Sequence, residues 1–244
     1  MRERLGLSRL GPPRLDLPRV DLPRLGLPGL GGWHQDPLWG HFYDWSVEHP
    51  GAGGLLWRLG IGSDLRRLYA AAAEIGRQPA GSAVLDVPCG GGVALRGLRP
   101  GQGLRYVAAD ISALMLDRTM AAATERGVAA QVEPVVADVQ HLQFGDGEFD
   151  LVVSFTGLHC FLDPRRAVLE LGRVTAPGGV ITGSALLHGA DPRSLPVMAV
   201  GQLAGLLGPS GTPADVLSWL AEAGFTETTM ELSGAIGYFR GVRG

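Results

Sequence analysis

Asp86 closes a short apolar run, AVLDV at 83–87, and is followed at once by a glycine-rich turn that contains Gly90 and Gly92. Glycines at a strand-to-helix turn let the backbone approach a ligand closely, and the first N–H groups of a following helix point at it. Alone, such a turn indicates only a nucleotide-like ligand. A dinucleotide site needs a third glycine in G-x-G-x-x-G, and that position is Leu95. A carboxylate just ahead of the turn would repel a pyrophosphate. It suits a ligand that carries a positive charge and an amino group. Asp110 lies 20 residues after Gly90, the spacing at which an acid accepts hydrogen bonds from ribose hydroxyls. Asp138 ends a third β-rich run, and Ser154 and Phe155 end a fourth.

These residues need strands to hold them at one edge. Runs of strand texture occur at 83–87, 104–109, 132–137, 149–154 and 179–187, and helical stretches at 92–98, 112–126 and 163–174 lie between them. Alternation of this kind predicts parallel strands with crossover helices on both faces. In such sheets ligands bind at the carboxyl edge. A further helix is predicted at 62–78, capped by Ser63 or Asp64, and another at 212–223, with Thr212 as cap and Pro213 in the first turn. Two final strands at 225–232 and 235–241 flank Ser233 and Gly234, a tight-turn signal. One terminal strand is therefore expected to run antiparallel to the rest.

The run VLDVPCGGG, ADIS, ADVQHLQFGDGEFDLVVS and LELGRVTAPGGVITGSAL resembles a class I S-adenosylmethionine-dependent methyltransferase, of the small-molecule group around the ubiquinone and menaquinone C-methyltransferases. The likeness covers 81–187 motif by motif and 212–241 by element order. It implies an α/β, Rossmann-like sheet, mostly parallel, of seven strands with an antiparallel strand in the terminal hairpin and helices on both faces. It implies S-adenosyl-L-methionine as cofactor. Asp86 would then support the amino end of its methionine part, and Gly90 and Gly92 would line its backbone. Asp110 would take the ribose hydroxyls, with Ile111 beside the adenine. Asp138 would accept from the adenine amino group, with Val139 on the ring, and Ser154 and Phe155 would face the sulfonium. For Asp138 and for Asp150 the alternative is ordinary strand-edge capping. Pro88 stands where the family has its first glycine, so contacts there should differ.

The reaction implied is in-line methyl transfer, in which alignment alone contributes ~7–11 kcal/mol. A general base would help an acceptor that carries a proton. His159, in GLHCF after the fourth strand, is the candidate; a plain wall histidine is the alternative. His34, His41 and Tyr43 are runners-up. The position after the fourth strand reads SFTG, without the Pro-Pro-aromatic pattern of base- and amide-modifying relatives. No carboxylate cluster indicates a metal. The segment 188–211 is apolar and broken by Gly and Pro, which predicts either a substrate lid or a core helix. With the aromatic-rich segment 33–57 it would make a greasy pocket for a quinone, phenol, polyketide or lipid-like acceptor. Two other classes stay open: a non-catalytic binding protein on the same fold, and an NAD-dependent oxidoreductase.

The 244 residues carry 21 basic and 24 acidic side chains, for a net charge of −3. This argues against a nucleic-acid partner. Every basic residue is Arg, and neither Lys nor Asn occurs. Schiff-base and P-loop lysine chemistry is thereby excluded. Residues 13–32 repeat a proline-containing pentad, which opposes a continuous helix and makes 1–32 a disordered tail by expectation. Its six Arg in 1–30 also allow a peripheral membrane tether. The expected divisions are this tail, an aromatic-rich helical cap at 33–80 and a cofactor domain at 81–244. No apolar run reaches membrane-spanning length and no secretory leader is recognisable. Cys89 and Cys160 are expected as reduced thiols, in a cytoplasmic setting.

Overall fold

The structure, a computed structural model, describes Tyr43 and residues 45–203 and 205–244. The pentad tail, His34 and His41 lie outside the described residues. Seven strands form one sheet: β1 (Ala83–Asp86), β2 (Arg105–Asp110), β3 (Val132–Val136), β4 (Phe149–Phe155), β5 (Thr175–Leu186), β6 (Phe225–Ser233) and β7 (Ile236–Arg243). Their order across the sheet is β3-β2-β1-β4-β5-β7-β6. The first five pair in parallel. β7 enters between β5 and β6 and runs antiparallel to both, as the hairpin signal at Ser233 and Gly234 predicts.

Alternation along the strands splits the core into two layers. Val84, Tyr106 and Leu151 turn to one face, where they meet Leu65 and Leu68 of α2 (Leu65–Ala72) and Leu116 and Ala123 of α3 (Ala113–Glu125). Leu85, Val107 and Val152 turn to the other, under α4 (Pro164–Val174) and α6 (Pro213–Glu222). Each fully buried Leu or Val contributes ~1.5–3 kcal/mol relative to exposure. Val47 and Trp57, ahead of the sheet, belong to the first layer. The described residues of the aromatic-rich segment therefore share a core with the sheet.

Caps form where the sequence places them. The Asp64 carboxylate accepts from Arg66 N–H at 3.1 Å, while the neighbouring Ser63 hydroxyl reaches Ser233. Thr212 and Asp215 form a reciprocal capping box at the start of α6. Asp150 accepts from the Ala83 N–H at 2.9 Å, which is the strand-edge capping alternative.

Two expectations fail locally. The helix expected at 62–78 is confined to α2, with a 3₁₀ turn at Ile75–Arg77 after it. Residues 92–98 do not form an α-helix; a 3₁₀ turn, Val93–Gly97, stands in its place. Gly97 lies against the carbonyl of Ala72, so α2 occupies the volume that a longer helix would need. The glycine turn thus opens onto no α-helix N-terminus, and its backbone geometry must do the holding.

Candidate active site

The carboxyl ends of β1, β2 and β4 border a cavity of about 510 Å³. At the β1 end the chain passes through a cis Val87-Pro88 bond and turns at Cys89 and Gly90. Cys89 N–H donates to Ala109 O at 2.9 Å, which fixes the turn on β2. The Thr119 hydroxyl of α3 donates to Gly90 O at 2.6 Å. Gly90 sits at φ +51° with open space where a side chain would project, so its bare backbone faces the cavity. Gly92 sits at φ +86°, and a Cβ there would lie 2.9 Å from Leu95 and 3.4 Å from Thr119. It permits close packing behind the turn and does not line the cavity.

Asp110 forms the opposite wall. Its carboxylate accepts from Gly90 N–H at 3.1 Å and from Ser112 N–H at 2.9 Å. These two bonds aim it at the turn, and a carboxylate has about four acceptor positions, enough to take hydroxyl donors as well. Ile111, 54% exposed, and Met115 continue this wall. A hydroxyl-bearing, partly apolar ligand with an adenosine-like outline fits the combination of open glycine, oriented carboxylate and apolar shelf.

Of the ten first-named site candidates, five line the cavity: Gly90, Asp110, Ile111, Phe155 and His159; of the runners-up, Tyr43 does too. Asp86 does not. It is 1% exposed and accepts from the Tyr106 hydroxyl at 2.7 Å. Burial pushes its carboxyl up to about 7, against the opposing pull of that hydrogen bond. It braces the turn from behind. Asp138 caps its own turn through Gln140 N–H at 2.9 Å, Val139 packs in the second core layer, and the Ser154 hydroxyl is buried without a partner. None of these three borders the cavity.

The second half of the cavity is apolar. Trp57 and Ile61, Phe155 and Phe161, Leu186 and Ile236 supply most of it. They come from the cap, from β4 and the loop after it, from the end of β5 and from the terminal hairpin. Tyr43 reaches in from the cap and its hydroxyl lies 2.6 Å from that of Thr156. Thr156 holds φ +53°, a strained setting for a β-branched residue, and its hydroxyl donates to Phe155 O at 2.7 Å. The Tyr43 proton is then the one that fills the Tyr43–Thr156 bond. Tyr69 and Arg96 both donate to Val47 O, and Glu48 pairs with Arg96 and Arg126. Those contacts hold the helical residues 45–48 next to Tyr43. α1 (Ala52–Gly60) brings Leu56 and Gly60 to the wall, and α5 (Leu195–Leu203) brings Val197.

His159 sits in a 3₁₀ turn after β4, 8% exposed. Its Nδ1 accepts from Leu186 N–H at 3.1 Å, so the neutral ring carries its proton on Nε2. Burial lowers its pKa to about 4. The lone pair a general base requires is thus engaged with the backbone, an arrangement that fits the alternative of a wall histidine. Thr156, Cys89, Met115 and Ile236 were not legible as site residues: a strained turn and a distant hairpin leave no local signal.

Residues 85–182 match a protein family described as a methyltransferase domain. The chain is 36% identical over 122 residues to a demethylmenaquinone methyltransferase of Thermus thermophilus, covering 50% of this chain and 54% of that protein. It is 34% identical over 135 residues to an uncharacterised protein of Mycobacterium tuberculosis, covering 52% and 47%. The chain spans about half the length of such curated relatives. A solved S-adenosylmethionine-dependent methyltransferase of Thermotoga maritima superposes with a TM-score of 0.58 at 15% identity, covering 85% of this chain and 99% of that one. The last likeness is one of fold. Among the described residues no group of His, Cys, Asp and Glu could hold a metal ion, and no helix is long and apolar enough to cross a membrane.

Proposed function

Because residues 85–182 match a family described as a methyltransferase domain, we propose that the chain is a class I S-adenosylmethionine-dependent methyltransferase that acts on a small lipophilic acceptor. When bound, S-adenosylmethionine supplies a methyl group already activated by a positive sulfur. What remains for the protein is to hold, align and exclude water. Asp110 and the open backbone at Gly90 would hold the nucleoside end. Phe155 and Pro88 would border the reacting end, and Gly157 packs directly against the Pro88 ring, which fixes that border.

One observation carries the reading. A single cavity joins the Asp110 edge to an apolar chamber, and Asp110 is the only acidic or basic side chain among its described lining residues apart from His159. A cationic acceptor would lose its hydration in the apolar half without a counter-charge. A quinol, phenol, polyketide or lipid-like molecule would not. The match to a protein named demethylmenaquinone methyltransferase agrees with that class. The site in the cofactor half, the cap at 45–80 as acceptor wall and α5 as part of the lid are all elements of this proposal.

The test uses S-adenosylmethionine labelled on its methyl group, offered with alkylated quinols, alkylphenols and hydrophilic amines. Label is expected in the organic extract with the first two. S-adenosylhomocysteine should raise the melting midpoint and NAD should not. Stabilisation by NAD would return the oxidoreductase. Stabilisation by S-adenosylhomocysteine with no transfer to any acceptor would favour a non-catalytic binding protein.

A further inference from the structure

We propose that the acceptor is an acidic hydroxyl compound (a phenol, quinol or enol) that reacts as its anion, and that His159 holds the oxyanion through its Nε2–H. The inference rests on the methyltransferase reading and adds to it the ionisation state of the substrate and the residue that selects it.

Three observations carry it. His159 Nδ1 is committed to Leu186 N–H, so only the N–H side of the ring is available to a ligand in the cavity it lines. Among the described residues Nε2 has no hydrogen-bond partner. The other polar side chains of the acceptor half are spoken for: the Thr156 hydroxyl donates to Phe155 O, and the Ser46 hydroxyl to Tyr43 O at 2.7 Å. Besides His159, the titratable groups that line the same cavity are Tyr43, Cys160 and, on the cofactor side, Cys89 and Asp110. Tyr43 faces Thr156, and the Cys160 thiol faces Thr156 O. Asp110 is tied to the glycine turn. No described group in the acceptor half is a carboxylate or an unprotonated imidazole nitrogen open to the ligand. The chamber therefore offers a hydrogen-bond donor and no proton acceptor.

Such a chamber suits an acceptor that has already lost its proton to water. In the transfer, the anion's oxygen, or the ring carbon conjugated to it, forms the new bond to the methyl carbon. The methyl–sulfur bond breaks with its electron pair staying on sulfur. The positive sulfur and the negative acceptor are neutralised together, and no proton moves in that step. Where carbon is the nucleophile, its displaced proton leaves afterwards to water. A donor aimed at a developing or resident oxyanion in a dry site is worth far more than in water.

The test uses 4-nitrophenol, whose anion is coloured, with protein saturated in S-adenosylhomocysteine. Three proteins are compared: wild type, His159→Gln and His159→Phe. Glutamine can accept from Leu186 N–H and still donate; phenylalanine can do neither. Bound nitrophenol is expected to ionise at a pH at least ~1 unit lower in wild type and His159→Gln than in His159→Phe. With two methylatable phenols of different acidity, the acidic limb of kcat/KM should move with the phenol. Equal nitrophenol ionisation in all three proteins overturns the proposal. So does no nitrophenol binding, or a limb that stays near 6.5 for both phenols. Failure of S-adenosylhomocysteine to bind at all overturns the methyltransferase reading instead.

Discussion

At the residue scale, Asp110 and Asp86 show what spacing reveals and what it hides. Both are acids at strand ends, and both face the same turn. Asp110 was legible because its distance from Gly90 reflects a βαβ unit, and the unit's geometry returns the second strand end to the turn. The structure closes that loop with the hydrogen bond from Gly90 N–H. Asp86 was legible as important but not as buried. Its partner Tyr106 lies on the neighbouring strand opposite Val84, and its long side chain reaches diagonally along the shared face to Asp86. Asp110→Ala removes two acceptors from backbone donors and any acceptor for ligand hydroxyls. Titration calorimetry with S-adenosylhomocysteine should show a loss of ~1–3 kcal/mol in binding. Unchanged affinity would remove Asp110 from the nucleoside site.

Elements were read well where apolar periodicity was strong, and poorly where packing overruled it. α3, α4 and α6 fall within a residue or two of their predicted spans. The 92–98 stretch has helical composition, yet Gly97 must pass the end of α2, and long-range contact shortens it to a 3₁₀ turn. The segment 188–211 was expected to be either a lid or a core helix, and α5 divides its residues between the two. Met198 is 2% exposed in the core. Val197 borders the cavity, and Leu195, Val200 and Leu203 stay more than half exposed. Val197→Glu should therefore fold, because that position is 43% exposed. It should raise KM for a lipophilic acceptor ~10-fold or more, since a carboxylate resists desolvation beside it. Binding of S-adenosylhomocysteine should be unaltered, and a parallel loss there would place α5 in the cofactor half.

At the scale of the whole molecule, two buried titratable groups act on stability in opposite senses. Asp86 is raised from 3.8 to about 7 in the folded state. Between those values the folded chain holds a proton that the unfolded chain releases, so stability falls as pH rises through that window. His159 is lowered from 6.5 to about 4. There the unfolded chain binds the proton first, so stability falls as pH drops through the window. From 4 to 6.5 the two oppose each other, and just above 6.5 Asp86 acts without that opposition. Asp86→Asn keeps an acceptor for Tyr106 and removes the titration. Denaturant melts of both proteins should converge at low pH, with the variant gaining relative stability as pH rises through 7. Parallel curves would mean that Asp86 is ionised throughout.

The same scale explains why the acceptor half was the least legible part. Its walls come from residues as far apart in sequence as Trp57, His159 and Ile236, and no local pattern predicts their meeting. The join is a seam between residues 61–64 and 233–235. Ala235 N–H donates to Ile61 O at 2.8 Å, Asp64 N–H donates to the Ser233 hydroxyl at 3.0 Å, and Gly234, at φ +56°, lies against the backbone of Ile61 and Gly62. Gly234→Val should open the seam. Limited proteolysis would then cut within 45–64, and acceptor turnover would fall much further than S-adenosylhomocysteine affinity.

That seam also sets an order of assembly. Chains emerge from the ribosome N-terminal end first and fold as they lengthen. The cap residues are synthesised early, but the hairpin tip they dock on lies 170 residues later. The cofactor edge of β1, β2 and β4 is made well before that tip. A nascent chain can therefore own a nucleoside cleft while its reaction chamber still lacks a wall.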